Sequence, residues 1–326
     1  MSAFPTSPLA RLPGHTGPVH AVTFSAGSGQ YVLTGCQDRK IRLFNPTPSS
    51  ASSDGQGKLI QSYSAHGYEV LDLAVSENNS RFVSGGGDKS VFLWDVATAQ
   101  TVRRFTGHAA RVQAVGFGGD DAAVVVSGSF DGTVRLWDCR ARGETRAMMT
   151  FGEARDGVSC VAVRGAEIYA GSVDGRVRVY DVAMGWVETD CIGASVTSVA
   201  PTKAGDGYLV SALDSTVRLM DRPTGKCLQG LRDGGEAGFR NETYRVRSCL
   251  GMADSLAISG AEDGRVFVWD VLSGTVLHRL WHKKDGGGGS GGKKDVVSAV
   301  AWNQMRRMWA SAGGDGEVVV WGARDG

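Results

Sequence analysis

The chain has 326 residues, 35 basic against 34 acidic, and a formal net charge of +1 at pH 7. That balance projects no global field able to recruit nucleic acid or an acidic membrane surface. Glycine is abundant at 47 residues and proline scarce at 8, the composition of short strands joined by tight turns. No segment approaches the roughly 18 apolar residues of a membrane span, and the N-terminal MSAFPTSPLARL lacks the apolar core of a signal peptide. Six cysteines (Cys36, Cys139, Cys160, Cys191, Cys227, Cys249) lie far apart without a CxxC pair. They read as buried free thiols in a reducing compartment, with neither disulfides nor metal ligands expected.

In chain order, residues 1–13 precede any repeat. Seven units follow at 14–63, 64–106, 107–151, 152–192, 193–231, 232–281 and 296–326, with a flexible glycine-rich loop at 282–295 before the last. Each unit carries a turn Asp followed by alternating apolar residues that end on an aromatic or Met. The copies are DRKIRLFN from Asp38, DKSVFLWD from Asp88, DGTVRLWD from Asp131, DGRVRVYD from Asp174, DSTVRLMD from Asp214, DGRVFVWD from Asp263 and DGEVVVWG from Asp315. A period of about 40–45 residues closing on Trp-Asp marks a WD-repeat β-propeller. The expected fold is therefore all-β: one seven-bladed domain over residues 1–326.

The third unit shows how a blade is built. Val112, Val115 and Phe117 mark a half-buried first strand, VVVSGS a second, FDG a turn, TVRLWD a third, and residues 148–151 a weaker fourth. The last unit reaches its third strand near Val318 and Trp321 with no fourth of its own. Residues 3–12 belong to no other blade and supply the missing outermost strand, where Pro5 and Pro8 suit an edge. Residues 45–58 read as a polar surface loop, and residues 283–295 as a solvated tether.

Within a blade, Trp, Ser or Thr, His and Asp can form a buried chain of hydrogen bonds. The matching sets are His66, Ser84, Asp88 and Trp94 in the second blade, and His108, Ser127, Asp131 and Trp137 in the third. The first blade has His15, Thr34 and Asp38, with Phe44 in place of Trp. The arrangement imitates a Ser-His-Asp triad, but its recurrence at the blade spacing marks it as structural. In the fourth and fifth blades Ala170 and Val210 replace the serine, so those blades are expected to rest on apolar packing and to be locally soft. The sixth and seventh keep Ser259 with Trp269 and Ser311 with Trp321, and no His precedes either at the expected place.

Longer stretches go beyond the generic repeat. Residues 66–112, the segment EARDGVSCV at 153–161, and the stretches at 137–142, 170–181, 211–221 and 262–270 resemble the mitogen-activated protein kinase organizer family of WD-repeat scaffolds. The resemblance covers the whole chain apart from the first linker and the glycine tract. It implies a scaffold for kinases of the Raf–MEK–ERK cascade, association with pre-mRNA splicing complexes, and residence in cytoplasm and nucleus.

The residues expected to bind protein lie where a propeller gathers its loops around the central opening: Tyr68, Glu69, Arg111, Phe130, Arg155, Tyr244 and Arg245, with Asp156, Glu242 and Glu262 nearby. Tyr and Arg offer large contact area with polar handles. No P-loop, HExxH, kinase or hydrolase signature is present, so neither catalysis nor a cofactor nor a metal is expected, and no membrane. The chain is expected to be monomeric by itself. The alternative is an RNA-contacting subunit of a ribonucleoprotein complex, with WDCRARGETR at 137–146 as the best phosphate-contacting stretch.

Overall fold

A computed structural model describes residues 4–47, 55–141, 146–235, 238–283 and 292–322. The strands form seven four-stranded antiparallel sheets. The third blade is typical: Val112–Gly118, Val124–Ser129, Val134–Asp138 and Met149–Phe151 pair in sequence order from the innermost strand outwards. Among the described residues the only helical element is a single 3-10 turn at Asp120–Ala122.

Apolar side chains from consecutive sheets meet between them. Val83, Val91, Leu93 and Phe105 of the second blade pack on Val112, Val115, Val125 and Trp137 of the third. This close stacking is why small residues sit at fixed points on the second strands. A Cβ on Gly128 would stand 2.6 Å from Val161 and 2.7 Å from Val158 of the next blade.

The ring closes through the N-terminal segment. Pro8–Arg11 pairs antiparallel with Val318–Trp321 as the outermost strand of the seventh blade. Leu12 donates its amide to Val318 at 2.9 Å and is buried, Trp309 Nε1 donates to the Pro5 carbonyl at 2.8 Å, and Phe4 stacks against Trp302 and Trp309. The free edge of this strand is partly covered: Arg11 exchanges backbone bonds with Gly55 and Gly57 from the end of the first linker. Residues 48–54 of that linker lie outside the described residues, as do residues 284–291 of the glycine tract.

One local feature prepares the functional face. In six of the seven blades the innermost strand is bulged just after its first valine, at Val19, Val70, Val112, Val158, Val196 and Val297. A bulge adds a residue and re-aims a side chain. Here the residues it re-aims include His20, Leu71, Gln113 and Ser298.

The cysteines divide in two groups. Cys36, Cys139 and Cys160 are buried and Cys249 is half-buried, all unpaired. Cys191 and Cys227 depart from the buried-thiol expectation because they lie on the outermost strands of the fourth and fifth blades, which face solvent.

Candidate functional site

The repeated polar sets are sealed inside the sheets. In the third blade Trp137 Nε1 donates to Ser127 Oγ at 2.8 Å, Ser127 lies 2.8 Å from His108 Nε2, and His108 Nδ1 lies 2.9 Å from Asp131. The second blade repeats this through Trp94, Ser84, His66 and Asp88 at 2.8, 2.7 and 2.9 Å. The indole donates to the serine, and the imidazole bridges serine and carboxylate, with Nε2 facing the hydroxyl and Nδ1 the carboxylate. Burial alone would raise the Asp131 carboxyl, but bonds from Thr133, the Ala109 amide and His108 outweigh it and hold the group at about 2. Ser84 and Ser127 are fully buried. A nucleophile must reach a substrate, and these cannot.

Four blades depart from the sequence expectation; in the sixth, Ser259 Oγ donates to the Gly260 carbonyl at 3.0 Å and Trp269 Nε1 is buried without an acceptor among the described residues. In the seventh, His282 does supply the missing imidazole: its Nδ1 lies 2.8 Å from Ser311, to which Trp321 donates at 2.9 Å. The ring is reversed relative to His66 and His108, leaving Nε2 3.8 Å from Asp315. His282 was assigned to the flexible loop because the glycine tract separates it from its blade; it is 2% exposed. In the fourth and fifth blades, an Arg four residues after the turn Asp takes over. Arg178 pairs with Asp174 at 2.7 Å and donates to Ser172 at 2.9 Å, and Arg218 pairs with Asp214. Tyr180 also donates to Glu153 at 3.0 Å. These blades therefore keep a polar clasp beside their apolar packing.

The first blade combines both devices. Arg42 Nη1 lies 2.6 Å from His15 Nδ1 and 2.8 Å from Asp38, which forces the His15 proton onto Nε2, facing Thr34 at 2.8 Å. Burial, then Arg42, pushes His15 down to about 4. His15, Cys36 and Asp38 are close enough to suggest a metal triad, yet the Arg42 guanidinium already fills the space between the imidazole and the carboxylate. A cation there would face another cation.

The loops preceding the innermost strands converge on the axis. Side chains from the first, second, third, sixth and seventh blades line one cavity of about 250 Å³, which residues from five blades can share only around the central channel. Of the sequence-selected residues, Arg111, Tyr244 and Arg245 line it; Tyr68, Glu69, Phe130 and Arg155 do not. Phe130 is nevertheless tied to its rim. Its amide donates to the Arg111 carbonyl at 3.0 Å, and the Arg111 guanidinium lies 4.3 Å from the ring centroid, a cation–π contact. Tyr68 stands 63% exposed. Arg155 is exposed, with its amide bonded to Asp174 at 3.0 Å.

Two residues sit differently from expectation. Glu262 is buried, and its Oε1 accepts the amides of Glu242, Thr243 and Tyr244 at 2.9, 2.6 and 2.7 Å. It is the anchor that shapes the Tyr244 loop. Arg245 lies within the channel, its guanidinium donating to the Gln113 carbonyl at 2.9 Å. Sequence reading also missed His20, Arg247 and Lys293, which line the same cavity. Strict alternation does not predict where a bulged strand points, which hid His20; Arg247 precedes the unbulged strand at Ser248–Gly251, and Lys293 lies in the glycine tract. At the other end of these strands, a cavity of about 960 Å³ opens among Val75, Phe117, Val163 and Ile168, with Glu77 and Asp121 on its border. The Arg-rich stretch at 137–146 is described only in part, since 142–145 lie outside the described residues.

The sequence matches the model of the WD domain, G-beta repeat, over residues 6–45, 57–95, 99–138, 146–181 and 289–322. It is 43% identical to WD repeat domain-containing protein 83 of Homo sapiens across 97% of this chain and 92% of that protein. The Rattus norvegicus protein of the same name is 46% identical across 85% of this chain and 82% of its own. A WD repeat domain-containing protein 83 homolog from Dictyostelium discoideum is 28% identical across 95% of this chain and 96% of its own.

Proposed function

This chain belongs to the WD-repeat family, among relatives of WD repeat domain-containing protein 83, and from that premise we propose that it is a non-enzymatic scaffold docking protein partners across its channel mouth. One observation carries the reading. Arg111, with Phe130 against its guanidinium, and Tyr244 come from loops of different blades and meet at one opening, and Tyr68 stands exposed on the corresponding loop of the second blade. Aromatic and arginine side chains dominate binding hot spots, and loops already ordered by a rigid ring cost little further entropy on docking.

The resemblance of residues 66–112 and 153–161 to the kinase organizer family supports components of the Raf–MEK–ERK cascade as partners, with spliceosomal proteins as a second set. Hydrogen exchange on the full chain with and without a bound cascade kinase tests the proposal. Slowed exchange at residues 66–69, 109–111 and 240–245 is the expected result. Protection confined to the outermost strands would place docking on the blade sides. The RNA-contacting alternative draws support from the cations lining the channel, and it requires affinity that falls steeply as salt rises.

A further inference from the structure

The channel mouth carries positive charge that its own carboxylates do not match. Arg111 and Arg245 each stand just before a buried valine: Val112, which opens its innermost strand, and Val246, two residues before the strand at Ser248–Gly251. Arg247 follows Val246 as Gln113 follows Val112. Its charge is answered: Arg247 pairs with Asp72 at 2.5 Å and donates to the Leu71 carbonyl at 2.7 Å. Asp72 also accepts the amides of Leu73 at 2.8 Å and Val115 at 2.9 Å, and its charge favours the charged form of Arg245 as well.

Arg245 has no such partner. Apart from its bond to the Gln113 carbonyl, its Nε is buried without an acceptor among the described residues. Lys293 joins Arg111, Arg245 and Arg247 in lining the cavity, and no Asp or Glu among the described residues lines it. The local field is visible in the groups it perturbs. Burial, then Lys293, Arg245 and Arg247, pushes His20 down to about 4. Burial and the neighbouring Arg247 lower Arg245 to about 10.

We propose that the channel mouth is an anion site that takes a phosphomonoester dianion, held by Arg111, Arg245 and Lys293. Guanidinium forks match phosphate oxygens in geometry and charge, and Arg245 lines the cavity with a buried Nε that has no acceptor among the described residues. A carboxylate brings one negative charge to three unmatched cations; a phosphomonoester brings about −1.5 to −2 near pH 7. The cavity of about 250 Å³ equals on the order of eight waters at about 30 Å³ each, enough for a phosphate group and the atoms that tether it. The phosphate can arrive on a phosphorylated side chain of a docked protein or on a free small phosphate. The first source rests on the docking reading above; the site itself does not.

The test is calorimetric titration and thermal melting of the full chain with inorganic phosphate, a degenerate phosphoserine peptide and its unphosphorylated form, and inositol hexakisphosphate, against sodium chloride at matched ionic strength. The melting temperature is expected to rise with phosphate beyond the chloride control. Arg245→Gln and the exposed Lys293→Ala are each expected to weaken phosphate binding, the first by at least tenfold. Lys293→Ala keeps the test open should Arg245→Gln fail to fold. A phosphopeptide bound at least tenfold more tightly than its unphosphorylated form supports the site with a protein-borne phosphate. Tighter binding of inositol hexakisphosphate supports it with a free one. Coincident melts in phosphate and chloride, or phosphate binding unchanged in both variants, overturns the proposal. Phosphate binding lost while kinase docking persists removes this site alone; docking that survives Tyr68→Ala with phosphate binding intact counts against the docking reading alone.

Discussion

Replacing His108 with Ala tests whether the repeated polar sets hold the blades together. The imidazole bridges Ser127 at 2.8 Å and Asp131 at 2.9 Å, inside a sheet. Losing the neutral bond costs about 1 kcal/mol, and losing the bond to the ionised carboxylate about 1.5–3 kcal/mol. Asp131 is not orphaned, because it keeps the Ala109 amide and both donors of Thr133. Ser127 likewise keeps the Trp137 indole. Those remaining bonds confine the total to about 2–4 kcal/mol. Urea denaturation should show a lower midpoint at unchanged slope. A double-mutant cycle with Ser127→Ala should give a coupling of about 0.5–3 kcal/mol, since the two side chains share one network. A loss under about 0.5 kcal/mol, or strictly additive variants, would refute the network as a stabilising unit.

Other outcomes follow from the same geometry. Deleting residues 1–12 should lower the melting temperature markedly by exposing the edge at Val318–Trp321, and Leu12→Ala alone should cost about 2–5 kcal/mol; an unchanged melt would contradict strand closure. Trp269 Nε1 is buried without an acceptor among the described residues, so Trp269→Phe should be less destabilising than Trp137→Phe by about 1 kcal/mol in paired melts. His15, His20 and His282 are each held at about 4, first by burial, whereas unfolded imidazoles titrate near 6.5. Between those values the unfolded chain binds more protons, so stability is complete above pH 6.5 and falls as pH drops towards 4. Denaturation at pH 7.5, 5.5 and 4.5 should show a progressive loss, on the order of 4 kcal/mol by pH 5.5 and 7 kcal/mol by pH 4.5. Asp131 and Asp174, held at about 2, add their loss only at lower pH, so a flat profile from 7.5 to 4.5 would contradict the buried neutral histidines.

The ring was legible because its signal repeats: seven turn-Asp patterns, and an unassigned N-terminal segment facing an incomplete last blade. What escaped was whatever local numbering disguised. His282 is cut from its blade by the glycine tract, so a search for Gly-His near the next strand passes over it. The clasps of Arg178 and Arg218 use a different residue from the expected His, at Asp plus four. Arg245 reads as a rim residue under strict alternation. In the folded ring it lies in the channel, three residues before an innermost strand that begins at Ser248. Tyr68 and Phe130 were singled out on residue type and loop position alone, which is all that exposed side chains leave in a sequence.

The central claim is that partners dock at the channel mouth. Its most direct test is titration of purified MEK and ERK kinases against wild type and a Tyr68→Ala/Tyr244→Ala variant, with melting temperatures recorded in parallel. The account predicts affinity weakened at least tenfold, about 1.4 kcal/mol, at an unchanged melting temperature. Equal affinity in the two proteins would contradict it.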